Sequence, residues 1–145
     1  MDVKLKIVRA LSPDTVELGV RSRSVQIDRI ISFIKGQEVP QIVGTKDDRD
    51  HYIPLDTCIS FSSSQKKVYV TTMNQENFKV NSRLYELVDK LPKNFVRISN
   101  TEIINLNFVS EFELSKTGII VIYFKNGMQT SSSRRYLRKV KERLL

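Results

Sequence analysis

The side chains in this sequence that could do chemistry are mostly cations. Between Arg134 and Arg143 the chain carries Arg134, Arg135, Arg138, Lys139, Lys141 and Arg143 against a single acid, Glu142. Over 145 residues, 24 Lys and Arg face 16 Asp and Glu, a net charge of +8. The excess is local: residues 1–50 hold 9 basic and 8 acidic side chains, whereas residues 51–145 hold 15 and 8. A concentrated basic surface suits a polyanion, nucleic acid above all. The plainer reading is a solvated face kept basic for solubility.

Other chemistries have less to stand on. Cys58 is the one cysteine, which excludes an internal disulfide, and His51 is the one histidine. Together they fall short of the roughly four ligands of a Cys/His zinc site. The five glycines (Gly19, Gly36, Gly44, Gly118, Gly127) never fall at phosphate-loop spacing. Asp47, Asp48 and Asp50 could face a hard cation but lack the remaining ligands of a calcium loop. Cys58 reads as a small buried hydrophobe. No catalytic residue, metal or cofactor is therefore predicted, and the chain is not read as an enzyme. The longest apolar runs, Ile30–Ile34 and Gly118–Phe124, are far below the roughly 20 residues of a membrane span. Met1-Asp2-Val3-Lys4-Leu5-Lys6 has no signal-peptide core, so a cytoplasmic location is expected.

The elements that must position the cations follow from periodicity. Val3, Leu5 and Ile7 alternate with polar neighbours, as do Val16, Leu18 and Val20, which predicts two short strands around the turn Ser12-Pro13-Asp14. Ile27, Ile30, Ile31 and Ile34 then recur at helical spacing, with Ser24 as cap and Gly36 as stop. Gln41–Gly44 and Tyr52–Leu55 flank a polar hairpin connection. Further strands are predicted at Thr57–Phe61, Lys67–Thr72, Phe78–Val80, Phe95–Ile98, Val109–Leu114, Ile119–Phe124 and Met128–Ser131, the last two joined through Asn126-Gly127. Leu84, Leu87, Val88 and Leu91 give a short helix ended by Pro92. Leu137, Val140 and Leu144 line one face of a basic C-terminal helix. The fold class is mainly β with short helices (α+β).

From His51 onward the order of features resembles the LytTR family of bacterial DNA-binding domains. The matching pieces are Tyr52-Ile53-Pro54-Leu55-Asp56, the strand with Ile59-Ser60-Phe61, then Lys67–Thr72 and the helix Leu84-Tyr85-Glu86-Leu87 running to Lys90-Leu91-Pro92. They continue with Phe95-Val96-Arg97-Ile98-Ser99-Asn100, Ile103-Ile104-Asn105-Leu106, Lys125-Asn126-Gly127 and Ser133-Arg134-Arg135-Tyr136-Leu137. The resemblance covers residues 51–145 and divides the chain. Residues 1–50 become a strand-strand-helix α/β segment with a regulatory or dimerisation role, and residues 51–145 a LytTR-like DNA-binding domain. Too few residues precede it for a phosphoacceptor receiver domain, so the chain looks like the stand-alone type of LytTR regulator.

The resemblance implies a transcription regulator that reads double-stranded DNA through loops in the major groove, at paired direct repeats that favour a dimer on DNA. It also implies base contacts from Asn100, from Arg135 and from Lys66 or Lys67, with Lys67 taken as the reader. Physical chemistry is compatible: Arg can donate two hydrogen bonds to guanine, and Asn can pair bidentately with adenine. Lys66, Ser133, Arg134 and Arg138 suit phosphates, Ser133 as a helix cap beside a bound anion. Asn100 would equally serve as a local cap, Lys66-Lys67 as a polar hairpin tip, and Arg134 with Arg138 as a solvated helix face. Two rival readings stand beside this one. One is a protein-interaction module docked through the Ile27–Ile34 helix, its basic face incidental; the resemblance itself also implies a small membrane protein that restrains the regulator, served by residues 1–50. The other is an RNA binder, although Phe95, Phe108, Tyr123 and Phe124 sit at apparent core positions and leave no stacking platform.

Overall fold

The computed structural model describes residues 1–36 and 40–145. The chain forms two compact units, Met1–Glu38 and Val39–Leu145.

In the first unit the one regular element among the described residues is helix α1 (Val25–Lys35). Ser24 Oγ accepts from the Ile27 N–H at 3.2 Å, and the Gly36 N–H closes the last turn on Ser32 O at 3.0 Å. Cap and stop are as expected. The two strands expected at Val3–Ile7 and Val16–Val20 do not form. Alternation alone cannot make a strand, because each N–H and C=O needs a ladder partner. Here Val3, Leu5 and Ile7 are more than 80% exposed. The strand-strand-helix pattern therefore reduces to one helix.

The second unit opens with strands β1 (Gln41–Lys46) and β2 (Arg49–Pro54). Asp47 and Asp48, at φ 53° and 60°, make the two-residue turn between them. Both residues are left-handed, as hairpin twist demands. β1 also pairs with a later strand, Gly44 facing Val80. The compact unit thus begins before residue 51, and the expected boundary after Asp50 would cut through this hairpin. A Cβ on Gly44 would lie 2.6 Å from both Ile53 Cδ1 and Phe78 Cβ, so only glycine permits that approach.

The strands β3 (Cys58–Ser64), β4 (Lys67–Thr72) and β5 (Asn77–Val80) follow, then helix α2 (Leu84–Lys90). Leu91, placed before Pro92, is extended at φ −76°, ψ 150°, and ends the helix. β6 (Phe95–Ser99) and β7 (Glu102–Asn105) complete a seven-stranded antiparallel sheet in the order β2-β1-β5-β4-β3-β7-β6. β8 (Val109–Leu114), β9 (Ile120–Phe124) and β10 (Gln129–Ser131) form a second, three-stranded sheet. Asn126-Gly127 sits in the connection between β9 and β10 with Gly127 at φ +88°, and Asn126 Oδ1 accepts from the Met128 N–H at 2.9 Å. Helix α3 (Leu137–Leu144) ends the chain.

Two cores result, one on each face of the larger sheet. Val68, Val70, Phe78 and Val80 alternate inward with Phe61 and meet Leu84 and Leu87 of α2. On the other face Val96, Ile98 and Ile104 meet Ile120, Ile122 and Phe124 of the smaller sheet and Val140 of α3. Ile103 and Ile104 are neighbours in β7 and enter opposite cores. Each fully buried aliphatic side chain contributes about 1.5–3 kcal/mol.

Two polar groups are held inside this packing. Asn105 has no exposed surface; its amide donates to Cys58 O at 2.9 Å and accepts from Asn94 Nδ2 at 2.8 Å and from the Asn107 N–H at 3.0 Å. Glu102 accepts from the Thr130 hydroxyl, linking the two sheets. Desolvation raises the Glu102 pKa above the usual carboxylate range, and the Thr130 hydrogen bond opposes that shift.

Two tests follow. Asn105→Ala strands three partners in the interior and should lower the unfolding free energy by about 3 kcal/mol in urea titrations, since each orphaned buried group costs about 1–3 kcal/mol. For Glu102 the folded state binds the proton more tightly than the unfolded chain. Its destabilising contribution is therefore absent at low pH and grows as pH rises through the carboxylate range to the raised folded value. Glu102→Gln should melt higher than the wild type at pH 7, with the difference shrinking towards pH 4.

Candidate nucleic-acid interface

Strand register decides which turns share an end of the sheet. Ser64 faces Lys67 across the β3–β4 hairpin, and Gln65 and Lys66 form its tip. β7 starts with Glu102 opposite Ser62, and the Ser63 N–H donates to Thr101 O at 2.8 Å. The β6–β7 turn at Asn100-Thr101 therefore lies beside the Gln65-Lys66 tip. Val80, the last residue of β5, faces Val68, so the Asn81–Arg83 loop leaves the sheet at the same end. The acidic Asp47-Asp48 turn lies at the other end, where Lys46 pairs with Glu76 at 3.3 Å.

The segment before α3 reaches this end too. The Ser133 N–H donates to Ile98 O at 2.9 Å, fastening it to β6. Arg134–Tyr136 then makes a 3-10 turn, and α3 starts only at Leu137. Arg134 and Arg135 thus lie outside the helix whose first turn they were expected to occupy. Ser133 makes no side-chain cap, and its Oγ is buried without a hydrogen-bond partner among the described residues. In this conformation the hydroxyl cannot reach an external phosphate.

Tyr136 connects the last segment to the β6–β7 turn. Its hydroxyl donates to Asn100 Oδ1 at 3.1 Å. Arg97 lies over the Tyr136 ring, 5.6 Å from its centroid, and donates through Nε to Ser99 O at 3.1 Å and through Nη2 to Asn100 O at 2.9 Å. The Asn100 side chain is thereby oriented while the residue stays exposed. Sequence reasoning missed both Tyr136 and Arg97. The available signal was an aromatic placed directly after the Arg134-Arg135 pair.

Asn100, Arg135, Lys66 and Lys67 are all exposed on turns gathered at this end, with Arg134 adjoining. Asn100 is a turn residue between two strands and does not cap a helical turn at Thr101–Asn105. Arg138 is the second residue of α3 and forms a 3.5 Å pair with Glu142, 93% and 66% exposed, a geometry worth little in water. Gln65 and Lys66 have φ of 51° and 65°. Neither is the Asn or Gly that such a turn prefers, so the backbone bears a cost of about 1–2 kcal/mol per residue there.

Catalytic alternatives gain nothing from the geometry. Burial, then the charge of Asp56, push the Cys58 thiol up to about 12, and Cys58 Sγ donates to Pro54 O at 3.5 Å. Such a thiol is inert. Among the described residues no three His, Cys, Asp or Glu side chains converge on a metal position, and no helix is long and apolar enough to cross a membrane.

Comparison with known proteins agrees with the fold. The family model described as the LytTr DNA-binding domain matches residues 48–145. HTH-type transcriptional regulators of Staphylococcus aureus strains NCTC 8325 / PS 47 and COL are each 43% identical over 103 residues, covering 71% of this chain and 69% of theirs. In this chain α2 and α3 are separated by β6–β10, so they do not form consecutive helices of a helix-turn-helix. The solved LytTr DNA-binding domain of a Bacillus cereus protein superposes with a TM-score of 0.68 at 20% identity, covering 72% of this chain and 95% of that one. A β-rich architecture with basic turns collected at one sheet end, matched by that family model over most of its length, places the chain in the LytTr DNA-binding domain family.

Proposed function

We propose that this protein is a sequence-specific transcription regulator that binds duplex DNA with the turn-bearing end of its larger sheet, without catalysis. The convergence of the Lys66-Lys67, Asn100 and Arg135 turns carries the reading. Short turns projecting from one edge can enter a major groove, as a helix does in other folds. In this reading Asn100, Arg135 and Lys67 contact base edges, and Lys66, Arg134 and Arg138 neutralise phosphates. Ser133 supports the turn through its backbone N–H, which donates to Ile98 O. Two protomers on paired direct repeats form the regulatory complex.

A separate role for the first unit is favoured by the exposure of Val3, Leu5, Ile7 and Phe33, each at least 69% exposed. Such a surface suits an apolar partner, and a small membrane protein that restrains the regulator fits it.

Selection of duplexes from a random pool would reveal the site and its repeat spacing. On that site Arg135→Ala should cut the preference for cognate over random DNA by about 10–100-fold, because a bidentate guanine contact is worth about 1–3 kcal/mol. An equal loss on both duplexes would remove Arg135 as a base reader. Lys66→Gly should separate stability from binding: the fold gains about 1 kcal/mol in denaturant titrations from relief of the left-handed residue, while DNA affinity falls.

A further inference from the structure

We infer that a cleft beside the reading turns, built by Lys66, Lys67, Lys79 and Arg83, is an additional phosphate-binding site that extends the DNA track along the sheet end. This rests on the DNA reading proposed above. Three observations carry it.

The first is composition. The cleft lies between the β3–β4 tip and the β5–α2 loop, with Asn81 and Ser82 also in its wall and Glu86 as its one acid. Four cations against one carboxylate form a polar, positive concavity that suits an anion and offers nothing to an apolar ligand. Among the described residues the ion pairs are Arg23–Asp28, Lys46–Glu76 and Arg138–Glu142, so all four cations are without a carboxylate partner.

The second is convergence. Lys79 and Arg83 lie far from Lys66 in sequence and reach it only through the pairing of Val68 with Val80 and of Tyr69 with Lys79. Four like charges in one cleft repel unless an anion joins them. A phosphodiester, singly charged and rich in acceptor oxygens, is the group that duplex DNA presents at regular intervals.

The third is alignment. Along the sheet end the order is β5, β4, β3, β7, β6. At about 4.8 Å per strand the β5 loop stands about 17 Å from the β6–β7 turn. That is about five base pairs of duplex, at roughly 3.4 Å each. The cleft thus falls on backbone flanking the bases assigned to Asn100 and Arg135. Through Lys79 and Arg83 it anchors the protein without reading sequence, on the side away from Arg134 and Arg138.

The test is the salt dependence of duplex binding by the full chain. Lys79→Gln combined with Arg83→Gln should lower the slope of log affinity against log salt by roughly 1.8, since each phosphate contact adds about 0.9. The ratio of cognate to random affinity should stay at its wild-type value. Each single variant should give about half the slope change, and thermal melts report whether the fold is retained. Lys90→Gln with Lys125→Gln, which removes the same charge elsewhere on the unit, should leave the slope unchanged. An unchanged slope in the Lys79/Arg83 variant, an equal fall in the control, or a lost cognate preference overturns the cleft assignment while leaving the base readers standing. A wild-type chain that binds no duplex overturns the DNA reading, and the cleft assignment with it.

Discussion

The pairing of β3 with β7 is the constraint on which the rest of the second unit depends. These strands are buried on both faces, and their register decides which side chains enter which core. Ile103 serves the α2 side and Ile104 the side of the smaller sheet. A slip of one residue would exchange them and mismatch both cores at once. The pairing is fixed at both ends by polar groups. At one end the buried Asn105 amide holds Cys58 O, and at the other Ser63 N–H holds Thr101 O. The second of these bonds sits directly under the Asn100 turn. Core packing and turn placement are therefore one problem: whatever holds Ile103 and Ile104 in their cores also fixes Asn100 against the Gln65-Lys66 tip.

Charge follows the same geometry. Antiparallel strands sort their turns between two ends, and the sort here concentrates cations at one end and leaves mixed signs at the other, where Lys46 pairs with Glu76. Lys66, Lys67, Arg83 and the Arg134-Arg135 turn collect at one end, while Asp47, Asp48 and Glu76 lie at the other. A unit polarised in this way is oriented by the field of a polyanion before contact, which raises productive encounter rates and makes them salt-dependent. The net charge of +8 understates this effect, because acids at the far end lower the total without weakening the basic end.

The strands and helices of the second unit were legible because nearly all of them face a core. Val68 and Val70 in β4, or Ile120, Ile122 and Phe124 in β9, carry the period of two that a half-buried strand must have. The expected Lys67–Thr72 strand agrees with β4 residue for residue. The same period misled at Val3–Ile7 and Val16–Val20, where no ladder partner exists among the described residues of the first unit and apolar side chains stay exposed. The domain edge was misplaced because β1 earns its position by pairing with β5, a contact invisible in local sequence. Arg134–Tyr136 looked helical because nothing in Arg-Arg-Tyr opposes a helix. What makes it a 3-10 turn is distant: Ser132 N–H bonded to Ile120 O and Ser133 N–H to Ile98 O hold the chain extended up to that point. The Arg97–Tyr136–Asn100 cluster was hidden for the same reason, as its members are joined by folding and separated by up to 39 positions in sequence.

The form of the interface bears on how such a domain can read DNA at all. Turns are usually the mobile parts of a protein, and ordering them on binding would consume affinity. Here the β3–β4 turn has only two residues. The β6–β7 turn is braced by Arg97 through two backbone carbonyls, and Asn100 by the Tyr136 hydroxyl. The Arg134–Tyr136 turn is bounded by the Ser133 bond to β6 and by Val140, which anchors α3 in the second core. Each turn is thus made rigid by a different device, and each device draws on the same two cores. On the proposed reading, rigid turn backbones lower the ordering cost of binding, and the Tyr136 hydrogen bond does the same for the Asn100 side chain. The bracing residues Arg97 and Tyr136 are distinct from the proposed readers Asn100, Arg135 and Lys67, so replacing a proposed reader leaves the bracing in place.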